Sequence, residues 1–230
     1  MKILTIIPAR CGSKGIKDKN IIDICKKPLI IYTIEVANEL KKENLVDEVI
    51  VSTDCNKIAN IAKEYGVNVP FFRPKKISGD KAKSIEFILH AIEFFEIQNR
   101  FFDAILLLQP TSPIRTLKLL KDAINTFKKG NEPSLISVYK EEYINELVMY
   151  NINNNKLNPL NPNHNKGIRR QEHKEIYIRN GSIYLTKVIF LKQKKLIISD
   201  NPLFIKMNKS DSINIDTIED IKLLRKRFCK

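Results

Sequence analysis

Four groups of residues have the types and spacing to do chemistry. In IPARCGSKGIKDKN (7–20), Arg10, Lys14, Lys17 and Lys19 crowd into one short stretch. Like charges so close repel, so an anion that offsets them is expected, and a polyphosphate fits. Gly12 and Gly15 flank Ser13 and Lys14, and such a turn can aim backbone N–H groups inward. The spacing is neither a Walker A motif nor G-x-G-x-x-G; a solvated basic turn is the competing reading. In LLLQPTSPIR (106–115), Gln109 ends an apolar run with an amide able to pair with a base edge. Thr111 and Ser112 add hydroxyls, and Arg115 adds a fork for phosphate or carboxylate. A polar strand-ending turn is the alternative there.

In NID (214–216), Asn214 and Asp216 share a face if the segment is extended. A carboxylate in that position suits Mg²⁺, which takes one or two carboxylates together with substrate phosphates. The alternative is Asp216 as a helix N-cap, in competition with Thr217. Finally, IRRQ (168–171) and YIRNGSIY (177–184) gather arginines and Gln171, a donor set for a substrate carboxylate or, equally, a subunit surface.

The elements needed to hold these groups follow from periodicity. Ile3–Ile7, Glu48–Thr53, Val67–Phe72, Ala104–Gln109 and Ser134–Tyr139 read as strands, the third an edge strand because it contains Pro70. Helices are expected between them: Pro28–Leu40, Lys57–Tyr65 stopped by Gly66, Ala82–Ile97, and Leu117–Lys129 closed by Gly130. That alternation predicts a three-layer, doubly wound, mostly parallel α/β sheet, whose ligands sit at the carboxyl ends of its strands. After residue 140 the pattern breaks. Residues 150–166, rich in Asn, predict a hairpin or projecting loop. Gly181–Thr186 and Ser212–Asp216 are further strand candidates, and Glu219–Arg227 is a last helix.

The 230 residues suit one domain, 1–230. No apolar run is long enough to span a bilayer, and the apolar run at Ile3–Pro8 is too short for a signal-peptide core, so the expected location is cytoplasmic with no membrane partner. Cys11, Cys25, Cys55 and Cys229 show no C-x-x-C spacing and read as unpaired thiols in a reducing compartment. The net charge of +14 raises nucleic-acid binding. However, the lysines are spread along a chain also rich in Asn and Ile, and no basic run interleaves with aromatics, so no nucleic-acid partner is expected.

Taken in order, IPARCGSKGIKDKN, VSTD, FFRPKKISGD, LLLQPTSPIR, RNGSIYLT and NIDTIEDI resemble the acylneuraminate cytidylyltransferases, also called CMP-sialic acid synthetases, over the whole chain. The resemblance implies a nucleotide-diphospho-sugar transferase-like fold. It implies an N-acylneuraminate cytidylyltransferase-like activity, in which CTP and a nonulosonic sugar acid give a CMP-sugar and pyrophosphate, with Mg²⁺ as cofactor. Arg10, Lys14 and Lys19 become catalytic. Ser13, Asn20, Arg73, Gln109 and Ser112 join Arg10 and Lys14 on the nucleotide. Gln109, Thr111, Arg115, Arg170 and Gln171 fall on the sugar acid, and Asp216 with Asn214 on the metal. A homodimer is implied, with 140–175 as the projecting dimerisation segment.

This sequence departs from the family pattern in carrying Asn214 where a second aspartate is usual, and Cys11 where another small residue is usual. Legionaminic, pseudaminic or Kdo-like acids are alternative sugars. A non-catalytic nucleotide- or RNA-binding protein is the alternative of a different class.

Overall fold

The computed structural model describes residues 1–12, 15–142, 144, 146–167 and 174–229. In chain order, β1 (Ile3–Pro8) leads through a loop to a two-stranded hairpin, β2 (Asp23–Ile24) with β3 (Lys27–Pro28), and then α1 (Leu29–Lys42). The core strands and helices follow: β4 (Glu48–Ser52), α2 (Asn56–Glu64), α3 (Ser84–Glu96), β5 (Ala104–Leu107), α4 (Leu117–Lys129) and β6 (Ser134–Glu141). Next come β7 (Tyr150–Asn153), β8 (Lys156–Pro159), β9 (Ile176–Lys187), α5 (Val188–Lys194), β10 (Leu203–Met207) and α6 (Ile218–Phe228).

The central sheet runs β10-β6-β9-β5-β1-β4. β1 pairs in parallel with β4 and β5, and β10 with β6, while β9 lies antiparallel between β5 and β6. Both faces are covered, which is why β1 and β5 read as unbroken apolar runs. One face packs Ile3, Ile7, Val51 and Leu106 under Ile31 and Ile34 of α1, Ile58 of α2 and Ile124 of α4. The other packs Leu4, Ile6, Ile50 and Leu107 under Ile88 and Ile92 of α3 and Leu191 of α5. The doubly wound, mostly parallel expectation is met, with β9 as the reversed strand.

Two local expectations are corrected. Val67–Phe72 makes only the isolated bridges Ile50↔Asn68 and Thr53↔Phe72; Pro70 has no N–H to extend a ladder. Ser212–Asp216 is not a strand. Its backbone is held at single points, Ile215 N on Thr111 O and Asp216 N on the Asp220 carboxylate. Gly130 closes α4 as expected, with φ −88. A β-carbon there would meet Leu203 Cδ1, so any other residue would push that side chain aside. The 150–166 hairpin is present as β7–β8, turning on Asn154 (φ 50) and Asn155 (φ 57). Asn is one of the few side chains that tolerate such a turn.

The cysteines are also corrected. Cys11 is bonded to Cys55 and Cys25 to Cys229, with Cα atoms 5.3 Å apart in both pairs. Sequence separations of 44 and 204 residues left no local signature of either pair. The Cys25–Cys229 link ties the end of α6 to the β2–β3 hairpin and closes most of the chain into one loop. By loop entropy it contributes about 3–5 kcal/mol. Without reductant, Cys25→Ser is therefore expected to melt about 10 °C below the wild type. Identical melting curves would show that the link adds nothing.

Candidate active site

The β1–β2 loop, the 77–84 segment before and at the start of α3, and the turn after β5 meet at the carboxyl ends of β1 and β5. They enclose a cleft of about 370 Å³ lined by Arg10, Lys19, Asn20, Arg73, Asp80, Ser84, Phe87, Gln109 and Thr111 among others. Parallel β1 and β5 fix the two edges of the cleft, in the place expected for an α/β sheet.

Arg10 leaves the end of β1 and is tied down by its own loop. Nη1 donates to Gly12 O at 2.9 Å, and Nη2 to Asp80 Oδ1 at 2.6 Å. Asn20 is buried and donates from Nδ2 to Arg10 O at 3.2 Å, so it braces the loop from behind. Arg73 is only 5% exposed. Its Nη2 donates to Ser52 O at 2.6 Å, and its guanidinium lies 4.4 Å from the centre of the Phe87 ring. Burial pushes its pKa down to about 10, and Arg10 adds to this while Asp54 opposes it. It remains a cation at neutral pH, one that water solvates poorly.

Lys19 lies on a 3-10 turn (Lys19–Ile21). Its Nζ donates to Ile215 O at 2.8 Å and to Asp216 Oδ1 at 3.0 Å. A small third core explains the meeting: Ile16 from the loop packs with Ile215, Ile221 and Leu224. Gly15 completes it, since a β-carbon there would come within 3.2 Å of Asp216 O. Asn214 Nδ2 donates to Asp216 Oδ2 at 2.5 Å, and Asn214 Oδ1 accepts from Ser112 Oγ at 3.5 Å. So Asn214 and Asp216 do face one side, though no strand holds them there. The helix-cap alternative is resolved: Thr217 is the N-cap of α6, in a capping box with Asp220. Burial raises the Asp220 pKa, but hydrogen bonds from Asp216 N and from Thr217, with the Lys19 charge, bring it below its ordinary value.

Gln109 and Thr111 face the cleft, and Ser112 is buried beside them. Gln109 Oε1 and the Tyr184 hydroxyl both lie 3.7 Å from where a β-carbon on Gly181 would stand. Gly181 has φ 75 and sits in the irregular β6–β9 register, so the bend in β9 brings Tyr184 and Gln109 together. Arg115 does not face the cleft. It is buried and donates to Gln109 O, Ser182 O and Thr33 Oγ1. With no carboxylate among these acceptors, burial pushes its pKa down to about 9. It braces the Gln109 turn from beneath, in place of the anion contact expected of it. Ser13, Lys14, Arg170 and Gln171 lie outside the described residues.

Residue reasoning gave no role to Asp54, Asp80, Ser84, Phe87 or Asp220. Asp80 lies inside the quoted FFRPKKISGD block, yet its pairing with Arg10 depends on a contact 70 residues away. Asp54, in VSTD, likewise accepts Cys11 N at 2.8 Å.

The cleft gathers arginines and a lysine around the Gln109 amide just past β5, a set suited to an anion, and comparison with known proteins decides the family. The cytidylyltransferase family model matches residues 4–226. The chain belongs to the cytidylyltransferase family. It is 34% identical over 226 residues to the pseudaminic acid cytidylyltransferase of Campylobacter jejuni, covering 98% of this chain and 95% of that one. It is 32% identical to the CMP-N,N'-diacetyllegionaminic acid synthase of Legionella pneumophila, covering 98% and 96%. It is 33% identical to the N-acylneuraminate cytidylyltransferase of Escherichia coli, covering 96% of this chain and 51% of that longer protein. Among solved structures, a CMP:2-keto-3-deoxy-manno-octonic acid synthetase complexed with CTP superposes with a TM-score of 0.72 at 17% identity, covering 100% and 99%. The 4-diphosphocytidyl-2C-methyl-D-erythritol synthase of Anaerococcus prevotii follows at 0.67 and 15%, covering 100% and 99%. These two share the cytidylyltransferase fold.

Proposed function

We propose that this cytidylyltransferase couples CTP to a nonulosonic sugar acid, releasing pyrophosphate and forming the CMP-sugar. The observation that carries the reading is the cleft itself, in which Arg10, Lys19 and Arg73 converge beside Gln109 and Thr111. The named relatives act on pseudaminic, legionaminic and acylneuraminic acids, which supports the nine-carbon class and leaves its member to experiment.

In this reading the sugar's anomeric hydroxyl gives up its proton to water as its oxygen attacks the α-phosphorus. The bond from that phosphorus to the bridging oxygen breaks, and pyrophosphate leaves with the electron pair. Arg10 and Lys19 hold the triphosphate, Lys14 joins them, and Asn20 keeps the loop in shape. Arg73 and Ser112 complete the nucleotide side, and Gln109 and Thr111 meet the sugar acid together with Arg170 and Gln171. The work is positioning and charge stabilisation. Asp216 offers one carboxylate and Asn214 one amide oxygen. No cluster of three or more acidic, His or Cys side chains occurs among the described residues. That donor set fits Mg²⁺ held jointly with substrate phosphates, and it does not fit a cation caged by protein alone. When bound there, the ion supplies charge neutralisation for the departing pyrophosphate.

The 140–175 segment carries exposed Ile144, Val148, Met149, Ile152 and Leu157, which supports a homodimer formed through it. No described helix is long and apolar enough to cross a membrane; the proposed location is the cytoplasm, where CTP is available and where the two cysteine pairs would be held reduced.

Pyrophosphate release tests the reading. CTP, UTP, ATP and GTP are each supplied with pseudaminic, legionaminic, N-acetylneuraminic and Kdo acids. Release with CTP and at least one nine-carbon acid is expected, with the other triphosphates much slower. Equal rates with all four triphosphates, or release with no nine-carbon acid, would sink it.

A further inference from the structure

Asp216 carries the only carboxylate in the proposed metal pair, and in the free protein both of its oxygens are already engaged. Oδ1 accepts from Lys19 Nζ at 3.0 Å and Oδ2 from Asn214 Nδ2 at 2.5 Å. The Lys19 side chain is 16% exposed and that of Asp216 is 63% exposed, so the ammonium approaches the carboxylate from inside the cleft. One of its two protein acceptors is a backbone carbonyl, Ile215 O, fixed by the Ile16–Ile215 core. An ammonium has three N–H groups, and two have these partners. The Lys19 ammonium thus neutralises Asp216 one for one, and it also lines the cleft assigned to the triphosphate.

We propose that Lys19 is the resident counter-cation of Asp216, which competes with a divalent cation for that carboxylate in the free protein and is transferred to the triphosphate when the nucleotide brings the cation in. The proposal rests on the metal reading given above. A lysine suits the exchange, being a compact charge on a flexible stem that can change partner without moving the backbone. Asn214 fits the same scheme. With an aspartate in its place, one lysine would leave a net negative charge beside Asp216. With asparagine, Lys19 offsets Asp216 and leaves only the neighbouring Asp220 carboxylate, which is already engaged by Asp216 N and Thr217, so a bare cation meets less free negative charge.

The consequence has a sign that distinguishes it from simple phosphate binding. Removing the Lys19 charge frees Asp216, so a divalent cation binds the nucleotide-free protein more tightly, while inorganic pyrophosphate binds more weakly. A lysine that only met phosphate would leave cation affinity unchanged.

The experiment titrates nucleotide-free protein with Mn²⁺, read by the electron paramagnetic resonance of the free ion. The proteins are wild type, Lys19→Met, Lys19→Arg and Asp216→Asn, each checked for folding by circular dichroism. Pyrophosphate affinity is measured in parallel by calorimetry. Lys19→Met is expected to bind Mn²⁺ more tightly than wild type by about two- to fivefold, the range expected when an exposed ion pair stops competing. Lys19→Arg, which keeps the charge, should stay near wild type. Unchanged or weaker Mn²⁺ binding by Lys19→Met overturns the exchange, as does equal tightening by Lys19→Arg. The metal reading fails on a separate result: Mn²⁺ binding in the presence of CTP that is the same for wild type and Asp216→Asn.

Discussion

Lys19→Ala lowers turnover about a hundredfold or more, the size expected when one preorganised donor at a developing charge is lost. Burial, hydrogen bonding and charge agree on this. The Lys19 side chain is mostly shielded from water, and its ammonium is held by Ile215 O and Asp216 at the edge of the cleft. Once transferred to the bound triphosphate, a cation so anchored is already in place as negative charge moves onto pyrophosphate. Stability should change little, because the partner carboxylate is largely exposed and pairs of that kind are worth about 0–1 kcal/mol. The check is steady-state kinetics beside a melting curve. A loss below about threefold in turnover would make Lys19 an ordinary loop lysine.

Asp216→Asn is expected nearly to abolish activity, since it removes the carboxylate that the proposed site would share with the cation and the triphosphate. The change is nearly isosteric. The Asp216 backbone N–H that donates to Asp220 is retained, so α6 keeps its cap and the fold should survive. The partner substitution runs the other way. Asn214 now donates to Asp216 Oδ2; an aspartate there would face it with like charge that only a cation relieves. Asn214→Asp should therefore lower the Mg²⁺ needed for half-maximal rate. Mg²⁺ titrations of all three proteins at fixed CTP decide both points. An active Asp216→Asn with an unshifted curve would place the cation elsewhere.

How far the sequence discloses the site depends on the kind of contact. Apolar runs such as Ile3–Ile7 and Ala104–Leu107 announce buried parallel strands, and a loop leaving the first of them crowded with lysines announces an anion. Gln109 is legible because it ends such a strand. Arg115 is misleading for the same reason: its position promises a ligand contact, but burial turns it back onto Gln109 O and Ser182 O. Contacts made by distant segments carry no local signature. Asp80 with Arg10, Lys19 with Asp216 and both cysteine pairs become visible only once the sheet and the small core around Ile16 and Ile215 bring the segments together. The β9 strand is half-hidden because its bend at Gly181 breaks the two-residue period that marks a strand.

In the proposed reaction the sugar's anomeric oxygen attacks the α-phosphorus of CTP held in this cleft. Isotope tracing tests it most directly. The anomeric oxygen of a nonulosonic acid is exchanged with ¹⁸O-water, the acid is returned to ordinary water, and it is turned over at once with CTP. Products are read by ³¹P resonance. The ¹⁸O is expected on the CMP phosphorus of the sugar nucleotide and not in pyrophosphate. Label in pyrophosphate, or a CMP-sugar whose phosphorus carries none, would contradict it.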